Sequence, residues 1–584
     1  MIAYSPRLYL VDTLLWLLIA GLPAIPGLLI REFFNTLTGE TQFDLLPWVW
    51  IVLLLATGLA RIIVIFTGRI TKTQHRFTMS ALVRRNLLTK LMMCPGAMPL
   101  VADGEAVSLG AVFSFFREDA QQLEDNAVGT NEVLGEGLFA VGSLALLINI
   151  NTKVTVLVFL PLMLIAVLIQ KMTHRIKRYR RNHRQATQQV TGWVGEMFTA
   201  VQAIQVAGAE SNVLEHFRQL CDRRQQAAVK DQLLTQLLDS SFSNLVSFGT
   251  GGILLVAAQS IQANTLTVGD FALFVYYLAY VTYFLGFLGD FLTLTKQSEV
   301  SLQRMEGLLN CPAQEIVTHC PLYLPTVTGH QPPLSRPQTK ARSSPLQVLT
   351  AHNLTYHYPG THCGITNVSL QIQRGSLTVI TGPVSSGKTT LLRVLLGLLP
   401  LQTGILKWNG QPLEQPADFW IPPRVAYTPQ VPHLFSSTLR DNILLGVDCS
   451  ETALWDAIAR AALDPDLASL PEGLDTPIGA NGMRLSGGQV QRTAAARMLV
   501  RQSELLVFDD LSSALDIETE QLLWSRLLSA RISPSTLAHT PSAVDTFLIV
   551  SHRPSILRQA DQIILLNQGC VKFMGQFQDL PRNY

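Results

Sequence analysis

Residues 382–389, Gly-Pro-Val-Ser-Ser-Gly-Lys-Thr, fit the spacing G-x-x-x-x-G-K-[ST], and that spacing makes a phosphate cradle. Gly382 and Gly387 let the backbone across Pro383, Val384, Ser385 and Ser386 turn its N–H groups inward on an anion. Lys388 brings a point charge to the β/γ end, and Thr389 offers a hydroxyl to Mg²⁺. Thr390 begins an apolar run to residue 399, read as a helix whose positive end faces the phosphates. The strand that must precede the loop is found at 376–380, which is short, apolar and β-rich. Further on, Leu505-Leu-Val-Phe-Asp509 reads as a buried strand ending in a carboxylate, placed to hold Mg²⁺ through water beside the loop. These residue types specify binding of a nucleoside triphosphate together with Mg²⁺.

The elements that position them fall into two bodies of different composition. At 584 residues the chain is too long for one core. A mean hydropathy of +0.27 with 15% charged residues is high for a soluble protein. The apolar residues concentrate before residue 300, in runs of the length that crosses a bilayer, roughly 10–32, 46–68, 128–150, 153–171, 243–264 and 268–291. Six spans are expected, with the lipid bilayer as their partner. Between the second and third lie Arg69, Lys72, Arg76, Arg84, Arg85 and Lys90. Between the fourth and fifth lie Lys171, Arg175, Lys177, Arg178, Arg180, Arg181 and Arg184. The opposite connections, 149–153 and 259–267, carry one Lys and none. This asymmetry places both basic segments, the N-terminus and the nucleotide-binding body in the cytoplasm. Beside membrane spans the basic residues read as topogenic, so no nucleic-acid partner is expected. The first apolar run has no short core followed by a small-residue cleavage site and reads as a retained span.

Both basic segments are too long for turns. They read as helical continuations of the spans, each closed by a short connecting helix. The seven cysteines, at 94, 221, 311, 320, 363, 449 and 570, form no C-x-x-C pair and no zinc spacing, so no metal beyond Mg²⁺ is expected. Pro312, Pro321, Pro325, Pro332, Pro333, Pro337 and Pro345 give the middle of the chain a linker composition. The expected domains are 1–310 in the membrane, 311–347 as tether and 348–584 as the nucleotide-binding body.

Leu485-Ser-Gly-Gly-Gln489 makes the reading specific. Ser486, Gly487, Gly488 and Gln489 resemble the signature of the ATP-binding cassette (ABC) family, and other motifs follow in family order. Gln430, in Thr-Pro-Gln-Val-Pro, resembles the Q-loop glutamine that senses the γ-phosphate and metal. Ser512-Ser-Ala-Leu-Asp516 resembles the D-loop, and His552 the switch histidine at the γ-phosphate. Tyr358, in Tyr-His-Tyr-Pro, sits where an aromatic ring stacks on adenine. In the first half, 102–125 resembles the first intracellular loop of ABC exporters, 195–210 the stretch after their second coupling helix, and 266–274 the opening of their last span. The resemblance implies a membrane α-helical bundle of six long transmembrane helices followed by an α/β P-loop NTPase domain of the ABC ATPase fold. It implies an ATPase that exports a substrate across a bacterial plasma membrane, with Thr389, Gln430 and Asp509 at the metal and Asp510, His552 and Gln430 at the hydrolytic step. ATP in this family is sandwiched between the phosphate loop of one cassette and the signature of another. A chain with one cassette must therefore dimerise.

Two positions depart from the pattern. Active family members carry Glu after the Mg²⁺ aspartate, where it orients or deprotonates the attacking water. Here the residue is Asp510, one methylene shorter, and misplacement of about an ångström costs roughly 10²-fold in rate. The expected site binds ATP tightly and hydrolyses it slowly. It points to a different half-transporter as partner, one carrying Glu there, with a homodimer as the alternative. Ala480 stands where the exporter X-loop usually has Glu. A rival reading is an ATP-gated or regulatory ABC protein without transport of its own. The substrate stays open among lipid, drug and peptide. Within the spans, Glu132 and Glu136 share one helix face. Arg61 lies at the depth of Glu136, roughly 20 Å in. An ion pair between neighbouring helices is expected there, with substrate contact as the alternative.

Overall fold

The structure is a computed structural model that describes residues 2–41, 43–98, 100–102, 105–107, 109–262, 266–318, 344–414, 416–479, 485–532 and 545–581. It divides into two compact units, Met1–Leu91 with Leu100–Pro332, and Met92–Pro99 with Pro333–Tyr584.

The first unit is helical. In chain order it runs α1 (Pro6–Gly21), α2 (Ala24–Thr38), α3 (Pro47–Met93), the strand pair β1 (Val101–Ala102) and β2 (Glu105–Ala106), and α4 (Leu109–Ser114). It continues with α5 (Ala120–Ile150), α6 (Thr152–Thr199), α7 (Val201–Ala207), α8 (Glu210–Gln262), α9 (Val268–Leu309) and α10 (Ala313–Thr318). Among the described residues six long helices result once α1 and α2 are taken as one span. That span breaks at Leu22-Pro23, because a proline there has no N–H for the helical ladder. Among the described residues four helices are long and apolar enough to cross a membrane: 6–38, 47–93, 112–150 and 268–309. The runs expected at 153–171 and 243–264 fall within α6 and α8, whose side chains lie partly outside the described residues. With 47 residues, α3 reaches about 70 Å at 1.5 Å per residue, more than twice the ~30 Å of a bilayer's hydrocarbon. The basic segments are thus extensions of the spans, as their length requires.

How these extensions close differs from expectation. The first ends in a turn, the antiparallel β1–β2 pair and then α4, rather than in one short helix. The second closes through α7, which lies inside the 195–210 stretch rather than before it. Gly208, at φ +58°, ends α7 in the left-handed conformation. The expected tether begins as helix α10, with Ile316 buried and its carbonyl accepting Asn86 Nδ2 at 2.7 Å. Residues 319–343 of the tether lie outside the described residues.

Helix α9 starts on a capping box. Thr267 accepts from the Asp270 N–H at 3.0 Å and the Asp270 carboxylate accepts from the Thr267 N–H at 3.2 Å. Asp270 also takes Arg31 Nε at 2.6 Å, which ties α9 to α2. Gly269 lies against the same helix, where a Cβ would come within 2.2 Å of the Arg31 carbonyl oxygen.

The second unit is α/β. A six-stranded sheet runs β12-β11-β5-β10-β9-β8, parallel except for β12; a four-stranded antiparallel sheet runs β4-β3-β6-β7. The strands are β3 (Val348–His357), β4 (Gly364–Gln373), β5 (Leu377–Thr381), β6 (Thr403–Trp408), β7 (Gln411–Pro412), β8 (Val425–Thr428), β9 (Leu505–Asp509), β10 (Thr546–Val550), β11 (Gln562–Asn567) and β12 (Cys570–Gly575). The parallel strands β5, β9 and β10 are buried along their whole length, which is why they read as unbroken apolar runs instead of alternating ones. One core, around Phe508, Trp524 and Phe547, fills one side of the large sheet. Another, around Tyr356, Leu391 and Trp408, joins its other side to the antiparallel sheet. Ala97 belongs to this unit, its N–H donating to the Leu398 carbonyl at 3.1 Å.

Candidate functional site

Four adjacent parallel strands, β8, β9, β10 and β5, deliver their motifs at their C-terminal ends. Gln430 follows β8, Asp509 closes β9, His552 follows β10 and the loop 382–387 follows β5. Ligands of open α/β sheets bind at this edge. The helix expected after the loop is Lys388–Leu395, shorter than the apolar run suggested, and Gly387 stands at its N-cap with φ +98°. Gly382 has φ +148°, and a Cβ on it would fall 2.0 Å from the Leu566 carbonyl oxygen. Both glycines are required by the backbone itself. Pro383, Val384 and Ser385 are exposed at the loop's tip, while Ser386 is buried.

Lys388 Nζ donates to the carbonyls of Gly382 and Pro383 at 2.9 and 2.7 Å, so the ammonium curls back over its own loop. Burial holds it below the usual lysine range, against the upward pull of Asp509 and Asp510. Thr389 Oγ1 donates to Asp509 Oδ1 at 3.3 Å. Burial lifts the Asp509 carboxyl above the usual carboxylate range, offset by the Thr389 bond and Arg393. Among the described residues Asp509 Oδ2 and Ser386 Oγ are buried without a hydrogen-bond partner. An orphaned carboxylate oxygen beside a threonine hydroxyl suits a hard cation with oxygen ligands, so the residues fit Mg²⁺. Gln430 Nε2 donates to Asp510 Oδ2 at 3.4 Å. Thr381 Oγ1 and His552 Nδ1 are 3.4 Å apart. Burial, then Lys388, lowers the imidazole below its ordinary value. Tyr358 is half-buried, its hydroxyl 3.5 Å from Thr390 Oγ1. The loop, Asp509, Asp510, Gln430 and His552 therefore gather into one cluster.

The backbone at Asp510 is left-handed, φ +53°, and its N–H donates to the Val550 carbonyl at 3.1 Å. Asp and Asn enter this region more readily than other non-glycine residues.

The signature forms a separate, well-fixed element. Ser486 caps the helix Gly487–Leu499 in a capping box: its Oγ accepts from the Gln489 N–H at 3.3 Å and Gln489 Oε1 accepts from the Ser486 N–H at 2.9 Å. Gly488 lies against the D-loop, where a Cβ would sit 3.0 Å from Leu515. Sequence reasoning missed the residues that brace this element. Gln491 donates to Ser513 Oγ at 2.9 Å and accepts from the Ala514 N–H at 3.2 Å. Asp466 receives Gln489 Nε2 at 3.0 Å and Arg492 Nη2 at 2.5 Å. Tyr427, on β8, was missed as well; burial and then Asp509 push its hydroxyl up to about 12. No local spacing marks these, since each acts across distant sequence. Ala480 lies outside the described residues.

In the membrane unit the expected Arg61–Glu136 ion pair is not formed. Arg61 Nη1 donates to Tyr280 Oη at 3.3 Å, and Glu132, one turn from Glu136, takes Lys72. Equal depth brought Arg61 and Glu136 to one cavity, but there Arg61 turns to Tyr280 on α9.

Comparison with known proteins agrees with both units. Residues 13–285 match the family model "ABC transporter transmembrane region", and residues 365–513 match "ABC transporter". The chain is 25% identical over 502 residues to an ATP-dependent lipid A-core flippase of Xanthomonas campestris, covering 85% of this chain and 79% of that one. It is 27% identical over 450 residues to the flippase of that name in Cupriavidus metallidurans, covering 76% and 70%. A solved structure, that of a bacterial Atm1-family ABC exporter with ATP bound, superposes with a TM-score of 0.77 at 22% identity, covering 100% of this chain and 97% of that one.

Proposed function

Because this chain belongs to the ABC transporters, an integral membrane ATPase with one membrane region and one cassette in a single half-transporter chain, we propose that it exports an amphipathic substrate as half of a dimer. The observation that carries the proposal is the gathering of Lys388, Thr389, Asp509, Asp510, Gln430 and His552 at one sheet edge, in a chain that also builds its own capped signature helix. The loop backbone, Lys388, Thr389 and Thr390 bind the phosphates of ATP, with Tyr358 against the adenine. Thr389 and Asp509 hold Mg²⁺, assisted by Gln430. When bound, the ion would supply positive charge beside the phosphates. Asp510 positions the attacking water, and His552 monitors the γ-phosphate. Ser486, Gly487, Gly488 and Gln489 complete the site of the partner cassette. Basic extensions of the spans support a cytoplasmic cassette, in the inner membrane of a bacterium. The domains are best read as 1–310, 311–347 and 348–584. From the flippases we carry over the movement of an amphiphile, not their cargo.

Asp510 favours one refinement, a heterodimer whose other half carries Glu at that place. There the present chain's site holds ATP and stabilises the closed dimer while its signature serves the hydrolysing site. The rival, an ATP-gated protein that moves nothing, is separated by reconstitution into proteoliposomes with Mg²⁺–ATP. ATP-dependent movement of an amphiphile, lost in Lys388→Ala, is the expected result. Unchanged ATPase and transport in Lys388→Ala would sink the site assignment, and nucleotide binding without transport would sink the export reading.

A further inference from the structure

The membrane unit has a half-open pocket of about 410 Å³ lined by α1, α3, α5 and α9, within the size range of small-molecule sites. Four charged side chains line it: Arg61 and Arg69 from α3, Glu132 and Glu136 from α5. Glu132 is already matched by Lys72. Arg69 rests over the Trp16 ring, 5.7 Å from its centroid, and makes no ion pair among the described residues. Among the described residues Arg61 hydrogen-bonds the Tyr280 hydroxyl, and its Nε is buried without a hydrogen-bond partner there. Glu136 is in no ion pair among the described residues either. The cavity therefore presents cationic groups and a carboxylate, from neighbouring helices, that make no ion pair with each other. The rest of its wall is apolar or aromatic: Ile19, Ile65, Phe287 and Tyr283, the last stacked on Phe287.

At membrane depth an uncompensated charge is expensive, and a ligand of one sign would leave the opposite group stranded. A ligand carrying both signs compensates both. Building on the export reading above, we propose that this cavity selects a zwitterionic amphiphile. Its anionic group lies on Arg61 and Arg69, its cationic group on Glu136, and its apolar body against Phe287 and Tyr283. A lipid headgroup and a soluble zwitterion with apolar side chains share this chemistry.

The test measures binding calorimetrically on the full chain in maltoside micelles without nucleotide. The probes are three short-chain lipids of one acyl composition, with phosphoethanolamine, phosphoglycerol or trimethylammonium heads, and the soluble peptide Phe-Gly-Phe. The phosphoethanolamine lipid is expected to bind about tenfold more tightly than either single-sign lipid, the scale of one compensated charge. Arg61→Gln should weaken the phosphoethanolamine and phosphoglycerol lipids about tenfold and spare the trimethylammonium lipid. Glu136→Gln should weaken the phosphoethanolamine and trimethylammonium lipids and strengthen the phosphoglycerol lipid, a gain that misfolding cannot produce. Equal binding of the three heads, or uniform loss in either variant, overturns the proposal. Phe-Gly-Phe binding with the same dependence on Arg61 and Glu136 supports it with a soluble zwitterion as ligand; binding of the lipid alone supports it with a headgroup. Binding of neither overturns it. A chain that binds the zwitterion but moves nothing with Mg²⁺–ATP overturns the export reading and leaves the cavity assignment standing.

Discussion

Asp510→Glu tests the hydrolytic site most directly, because the structure sets two opposing effects on one residue. The Asp510 carboxylate meets Gln430 at 3.4 Å, the long end of hydrogen bonding, and its side chain is one methylene shorter than a glutamate's. A glutamate extends it by about an ångström, and recovery of placement on that scale is worth roughly 10²-fold in rate. Against this, position 510 is left-handed at φ +53°. Glutamate lacks the short local hydrogen bonding that eases aspartate into that region, so the exchange costs about 1 kcal/mol of cassette stability. The variant should thus hydrolyse faster while melting slightly lower. The assay is phosphate release by the purified chain alone in liposomes, its dimer verified by crosslinking, with melting followed in parallel. Turnover within about threefold of the parent, below the 10²-fold expected from placement, would show that Asp510 already serves as an adequate base. In that case the argument for a differing partner fails as well.

Three further outcomes are expected. Gly269→Ala would press a Cβ to within 2.2 Å of the Arg31 carbonyl oxygen and 2.4 Å of Asn35 Oδ1. It should destabilise the membrane unit by about 2 kcal/mol, the scale of overpacking, and an unshifted melting temperature would refute the close approach. Gln491→Ala removes two hydrogen bonds to the D-loop from a buried side chain, for a loss of about 2 kcal/mol with slower turnover; unchanged ATPase would show that the brace is dispensable. His552 has a folded-state value lowered from its ordinary 6.5, by burial first. The neutral ring's contribution to stability is therefore full above 6.5 and is lost as pH falls through the lowered folded value. Nucleotide-free wild type should lose melting temperature relative to His552→Gln as pH drops below 6.5, and parallel curves would contradict the assignment.

What the sequence makes legible is what neighbouring residues decide. Gly382, Gly387, Lys388 and Thr389 act within one turn of chain, so their spacing alone marks the cradle, and the buried strands β5, β9 and β10 advertise themselves as apolar runs. Span lengths and the basic extensions follow from the bilayer as solvent in the same way. The antiparallel sheet β4-β3-β6-β7 left less trace, since half-exposed strands with bulges between Ala351 and Tyr356 blur the alternation that would announce them. The membrane charges mark the boundary most sharply. Depth can be counted along a helix, and it correctly brings Arg61 and Glu136 to one cavity. Arg61 turns instead to Tyr280, 219 positions away, and Lys72 takes Glu132, 60 positions away and one turn from Glu136. A pairing inferred from depth alone therefore fails at the place where two neighbouring charges are kept apart. The expected ion pair gives way to an Arg61–Tyr280 hydrogen bond beside an aromatic wall, an outcome decided by packing across helices and therefore not legible from depth.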